Sequence, residues 1–188
     1  MKSYISRNFL FSLVVLFAIS SCKKNEINAT YEPFPGCPPP FISLAPLSYA
    51  ELTAALNQGS FVTIRSVTTA GDYNTKIRIS NEVNTQDYVP AAIDFKSFRF
   101  GCGGIITGTN YGGEPLAYDL ACPNCRSVEY RLTVNTDGTC SCSHCNIVYD
   151  LNNYGFIINT EKNTIHSAPR GLYRYRAEIN PQVVHVWL

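Results

Sequence analysis

The chain has 188 residues, 45% of them apolar and 12% aromatic, with only 15% charged and a formal charge of +1. That composition excludes a disordered chain, and the absence of any basic block excludes a nucleic-acid-binding surface. Eight cysteines are too few for a disulfide miniprotein of this length and too many to be incidental.

The elements read as follows in chain order. Lys2 and Arg7 form a short basic start, and residues 9–19 are an apolar run too short to span a bilayer as a helix. Ser20 and Ser21 then precede Cys22. The stretch Ile19-Ser20-Ser21-Cys22 resembles a bacterial lipobox, which implies cleavage before Cys22 and lipidation of that cysteine. The alternative is a plain secretory leader followed by a coincidental cysteine. Loss of Lys2 and Arg7 with the leader tips the net charge to slightly negative. Residues 1–21 are thus expected to be a leader. Residues 22–45 are expected to be a lipidated tether, stiffened by Pro33, Pro35, Pro38, Pro39 and Pro40. The folded domain is expected over 46–188. A lipid anchor puts the protein in the bacterial cell envelope, at the outer membrane, facing the periplasm or the surface.

Ser48 with Glu51 three residues on suggests a capping box and a short helix over 48–57, ended by Gly59. Almost everything after that reads as strand. Residues 61–65, 76–79 and 130–134 alternate apolar and polar. Further β-rich runs lie at 105–107, 116–118, 147–149, 156–158, 173–179 and 183–188, punctuated by Gly, Asn, Asp and Pro about every ten residues. This is the pattern of an antiparallel all-β sandwich or barrel. The 12 Tyr and 10 Phe read as core and cross-strand packing, not as a ligand site. Gly101-Cys102-Gly103-Gly104 precedes a strand, so it reads as a tight turn with positive φ and not as a nucleotide loop.

The chemistry is concentrated in residues 122–145. Cys122-Pro123-Asn124-Cys125 and Cys142-Ser143-His144-Cys145 form C-x2-C-x16-C-x2-C. A strand at 130–134 and a turn at 135–138 would make a hairpin that brings the two pairs together. Spacing alone reads as a zinc ribbon, with Cys122, Cys125, Cys142 and Cys145 as four thiolate ligands of one zinc. In an oxidising compartment, cross-knuckle disulfides are the alternative.

The surroundings carry a resemblance. Cys142 and Cys145 are followed by Tyr149-Asp150-Leu151, Gly155, His166 and Ala168-Pro169-Arg170. Upstream, Gly104-Ile105-Ile106 and Leu116 to Cys122-Pro123 lead into the first knuckle. The stretch from 60 to 188, and most closely 102–175, resembles a Rieske domain. The resemblance implies an all-β Rieske-like base, an antiparallel sandwich or barrel, with a small metal-binding hairpin subdomain at about 119–170. It also implies a [2Fe–2S] cluster and one-electron transfer to a redox partner protein. Cys122 and Cys142 match the family's cysteine ligands. Asn124 and Cys145 stand where the family has its two histidines, so the resemblance implies the fold but not the ligand set. With Cys125 and Cys145 as ligands, a four-thiolate cluster would carry more negative charge. Its potential would drop towards about −400 mV, and the pH dependence set by histidine ligands would vanish.

Several residues remain open at this level. His144 or Cys140 could replace a thiolate. Cys37, Cys102 and Cys140 are an odd set, with one disulfide, Cys102 to Cys140 or Cys37 to Cys102. His166 and His185 read as structural. No Ser-His-Asp order, paired carboxylates or phosphate loop is visible, so no catalytic residue is assigned. Two functions follow from different classes. One is an envelope electron carrier holding [2Fe–2S]. The other is a surface lipoprotein binding module, without redox activity, whose four-cysteine site holds one structural zinc or is closed by disulfides; for the metal itself, one zinc or one iron is the alternative to the cluster.

Overall fold

In the computed structural model the described residues are 36–68, 75–90, 97–159 and 170–188. The leader, Cys22, His166, Ala168 and Pro169 lie outside them. The fold is all-β. Twelve strands run in chain order: β1 Phe41–Leu44, β2 Ser60–Val67, β3 Lys76–Ser80, β4 Thr85–Tyr88, β5 Ile105–Thr109, β6 Pro115–Asp119, β7 Thr133–Val134, β8 Thr139–Ser141, β9 Val148–Asp150, β10 Phe156–Asn159, β11 Arg174–Ile179 and β12 Val184–Trp187. Eight of them form one curled antiparallel sheet in the order β1-β12-β11-β6-β5-β2-β3-β4. The other four form a small sheet, β10-β9-β8-β7, inserted between β6 and β11. Among the described residues no helix is long and apolar enough to cross a membrane.

The alternation within strands explains the layering. On β2, Val62 and Ile64 point one way and Phe61 the other. On β5 and β6, Ile105 and Ala117 share the first face, while Ile106, Leu116 and Tyr118 share the second. The first face packs against Ile42, Leu44, Val184, Val186 and the turn-helix residues Leu52 and Ala55. The second face packs against Cys122, Cys142, Cys145, Ile147, Tyr149 and Leu151 of the small sheet. The centre of the large sheet is therefore covered on both sides, and all five residues of β5 are buried.

Two expectations change. The helix over 48–57 is instead a pair of 3-10 turns, Pro46–Ser48 and Ala50–Leu56, and no side chain caps either. Glu51 is buried and accepts a short hydrogen bond from the Tyr88 hydroxyl on β4, so it cannot serve a capping box. The sheet also begins inside the segment read as tether. The sequence Phe41-Ile42-Ser43-Leu44 alternates, and it pairs in register with β12, with Phe41 opposite Trp187 and Leu44 opposite Val184.

Cys37 and Cys102 form a disulfide, one of the two pairings left open by the sequence, and Cys140 is a free, buried thiol. The loop that carries Cys102 is held from behind by Asp119, a fully buried carboxylate. It accepts hydrogen bonds from the N–H groups of Cys102 (2.8 Å), Gly103 (3.1 Å) and Ala121 (2.7 Å) and from the Tyr175 hydroxyl (2.6 Å). Burial and the Asp119 charge push the Tyr175 hydroxyl well above its ordinary pKa. Gly101 turns there at φ +67°, and a Cβ on it would lie 2.5 Å from the Asp119 carboxylate.

Candidate metal centre

The hairpin forms as the spacing suggests. Val134 pairs with Cys140 and Thr133 with Ser141, around a turn in which Gly138 takes φ +76°. Cys122 and Cys125 lie just before it in the chain, and Cys142 and Cys145 just after. Each pair is a tight knuckle built in the same way. The N–H of Arg126 donates to the Cys122 carbonyl at 3.2 Å, and the N–H of Asn146 donates to the Cys142 carbonyl at 2.9 Å. Arg126 and Asn146 both sit in the left-handed region, at φ 53° and 58°. After Asn146 that backbone turn swings the next N–H, of Ile147, towards the Cys145 sulfur.

The knuckles face each other. The sulfurs of Cys122 and Cys145 are 3.6 Å apart, and those of Cys125 and Cys142 are 3.5 Å apart. All four lie within 4.8 Å of one another. Cys122, Cys142 and Cys145 are buried and Cys125 is half-buried. The four-cysteine site is thus assembled in space and could bind a metal ion. Among the described residues it is the one such group of His, Cys, Asp and Glu side chains.

Donors surround the sulfurs. The Cys125 N–H points at Cys122, and the Ile147 N–H and the Asn124 side chain point at Cys145. The Tyr149 hydroxyl lies 3.7 Å from the Cys122 sulfur and His144 Nδ1 lies 3.4 Å from the Cys125 sulfur. The His144 ring stacks on Tyr130, with centroids 3.8 Å apart and planes 20° apart. In the metal-free chain, burial pushes the Cys122 thiol up to about 12 and the Cys125 thiol further up. At Cys145, burial acts in the same direction, but the Ile147 N–H and the neighbouring donors outweigh it and hold the thiol below its usual value. Nearby donors of this kind offset the charge that four thiolates bring to one metal.

The candidates that the sequence left open now have places. His144 is exposed and hydrogen-bonds the Cys125 sulfur from outside the group. Cys140 packs into the core beneath the site and is not among the four. Burial raises its thiol well above the ordinary value. The sequence did not show that Asn124 would serve as a buried donor to Cys145, or that Tyr149 would reach Cys122. Both stand at positions fixed by the knuckle spacing, and that was the available signal. His185 lies in β12 between Phe41 and Trp187, with ring centroids 5.4 and 4.7 Å away, as a structural residue would.

The lobe is continuous with the base. Tyr118 donates its hydroxyl to the Leu151 carbonyl at 2.9 Å, and the Leu132 N–H donates to the Leu120 carbonyl at 2.8 Å. The Arg174 guanidinium lies 4.7 Å above the Tyr154 ring. The lobe therefore packs directly on one face of the large sheet. Compared with models of known protein families the chain matches none, and it matches no curated protein sequence.

Proposed function

We propose that this protein is a metal-binding module of the cell envelope. Its lobe holds a single zinc ion on Cys122, Cys125, Cys142 and Cys145, on a Rieske-like β scaffold. The observation that carries this reading is the mutual proximity of the four sulfurs, all within 4.8 Å. With Zn–S bonds of about 2.3 Å, the edges of a tetrahedron of sulfurs are about 3.8 Å. The two sulfur–sulfur contacts of 3.5 and 3.6 Å sit close to that edge. A [2Fe–2S] cluster places its sulfur pairs on separate irons. Two Fe–S bonds plus the iron–iron step then separate the pairs by more than about 5 Å. The compact set favours one metal ion over that cluster.

A structural role follows from the packing. The ligand sulfurs are part of the core that covers β5 and β6. Zinc would cross-link the two knuckles and lock the hairpin, much as structural sites supply folding free energy outright. The disulfide Cys37–Cys102 supports export to an oxidising compartment. There, a bound metal would also keep four adjacent thiols from pairing as disulfides. Export through the leader and anchoring at Cys22 are part of the same proposal.

A single iron on the same four thiolates is the second reading. Cys125, half-buried under His144, would be its route for electrons to a redox partner. One experiment separates these readings: the visible spectrum with zinc, iron and sulfide analysis, on protein purified without added metal. One zinc per chain and no colour is the expected result. Two irons with two sulfides per chain would overturn the proposal, and one iron without sulfide would establish the second reading.

A further inference from the structure

The seam between the metal lobe and the uncovered part of the large sheet carries more positive charge than its neighbours neutralise. Two adjoining hollows of about 310 and 340 Å³ run along it, and Arg65 and Arg131 line both. Arg65, on β2, stands directly opposite Arg78 on β3, a like-charged cross-strand pair. Arg78 is satisfied from the other side, where both Asp87 carboxylate oxygens accept from it at 2.6 and 2.7 Å. Asp87 is thereby used up, and Arg65 has no carboxylate of its own among the described residues. Burial, then Arg78, then Arg131 lower the pKa of Arg65, and only Asp87 acts in the other direction.

Arg131 comes from the lobe. Its Nε donates to the Gly103 carbonyl at 2.9 Å, which fixes the side chain across the seam, where the residue lines both hollows. Arg99 lines the larger hollow as a third guanidinium, and no acidic side chain among the described residues lines it. Asp119 lies behind the loop with its oxygens committed to that loop and to Tyr175. The smaller hollow adds the hydroxyls of Thr63 and Ser80, with exposed Glu82 lining it as well.

We propose that this seam is a binding site for a doubly charged oxyanion of the phosphate class, held between the guanidiniums of Arg65 and Arg131. Planar guanidiniums bind such oxygens through paired charge-assisted hydrogen bonds. A dianion neutralises two cations that line the same hollows. The site is independent of which metal the lobe holds.

The probe is inorganic phosphate, titrated at constant ionic strength into the metal-loaded chain while the arginine Nε–H signals are followed by NMR. Saturable shifts at Arg65 and Arg131 are expected. Arg65→Gln and Arg131→Gln should each weaken binding at least about tenfold, and Arg176→Gln on β11 should leave it unchanged. Arg65→Gln should also melt no lower than the parent, since it relieves the repulsion from Arg78. A merely structural arginine would not behave so. Vesicles with and without phosphatidic acid, whose phosphomonoester headgroup can carry a second negative charge, distinguish the source. Arg65-dependent binding to the anionic vesicles alone identifies a lipid headgroup, and binding of free phosphate alone identifies a soluble ligand. No saturable shift with either probe, or equal binding by Arg65→Gln, would overturn the proposal.

Discussion

Replacing Asp119 by asparagine tests how the disulfide loop is held. The carboxylate is fully buried and accepts four hydrogen bonds. Asparagine keeps the shape and one acceptor oxygen. With that oxygen on the Gly103 and Ala121 N–H groups, the new amide NH2 faces the Cys102 N–H and the Tyr175 hydroxyl. The hydroxyl can rotate to accept, but the Cys102 N–H is left without a partner, at about 1–3 kcal/mol. The other bonds lose their charge assistance, each falling from about 1.5–3 to about 0.5–1.5 kcal/mol, and the lower cost of burying a neutral group offsets part of this. A net loss of about 2–4 kcal/mol follows, a large fraction of the 5–15 kcal/mol or so that stabilises an ordinary domain. The assay is urea unfolding with the Cys37–Cys102 disulfide intact in both proteins. Tyr175→Phe removes one charge-assisted donor but leaves no N–H unpaired, so it should cost about 1.5–3 kcal/mol, less than Asp119→Asn. Should Asp119→Asn lose less than about 1 kcal/mol, or Tyr175→Phe lose more than it, the account of this loop fails.

Further outcomes follow from the metal centre. Cys125→Ser with Cys145→Ser should abolish metal binding and loosen the lobe. Cys140→Ala should keep the metal and lose only packing, at about 1 kcal/mol for a small buried thiol; metal analysis and thermal melting check both. Cys122 and Cys125 titrate above neutrality in the metal-free chain, so at pH 7 both are protonated thiols and metal must displace their protons. Affinity should therefore rise with pH, by at least about 100-fold per unit for the two protons that Cys122 and Cys125 release, as competition with a chelator across pH 6–8 would measure. Arg126→Gly should relieve the left-handed backbone at φ 53°. The relief of about 1–2 kcal/mol exceeds glycine's extra unfolded-state entropy of about 0.5–1 kcal/mol, so a small gain in melting temperature of the metal-loaded protein is expected.

The strands and the knuckles were legible in the sequence because their signals are local. Period-two alternation marked β2 and β3, a short β-rich run marked β5, and the C-x2-C pairs around a 16-residue spacer announced a hairpin-linked site. β7 was read too long. Residues 130–132 carry the alternation, but their backbone groups bond to Cys122 and Leu120 instead of extending the hairpin. β1 was hidden because the prolines before it marked the whole segment as spacer. Only the distant partner β12 turns those four residues into a strand. Glu51 misled for the same reason: its partner, Tyr88, is 37 residues away. Asp119 gave no signal at all, since a buried acceptor is defined by the loop that wraps it. Local chemistry was readable; partners chosen by tertiary closure were not.

The position of the disulfide has a mechanical consequence. β1 is the edge strand, paired with β12 alone within the sheet, and a pull from the N-terminal side would peel it off one bond at a time. Cys37 precedes that strand and is joined covalently to Cys102. A load arriving along the chain therefore bypasses β1 through sulfur and enters the loop that Asp119 holds against β6. There, several hydrogen bonds must break together for the chain to yield. A protein held by its N-terminal end in moving fluid would thus resist shear at its centre and not at its weakest margin.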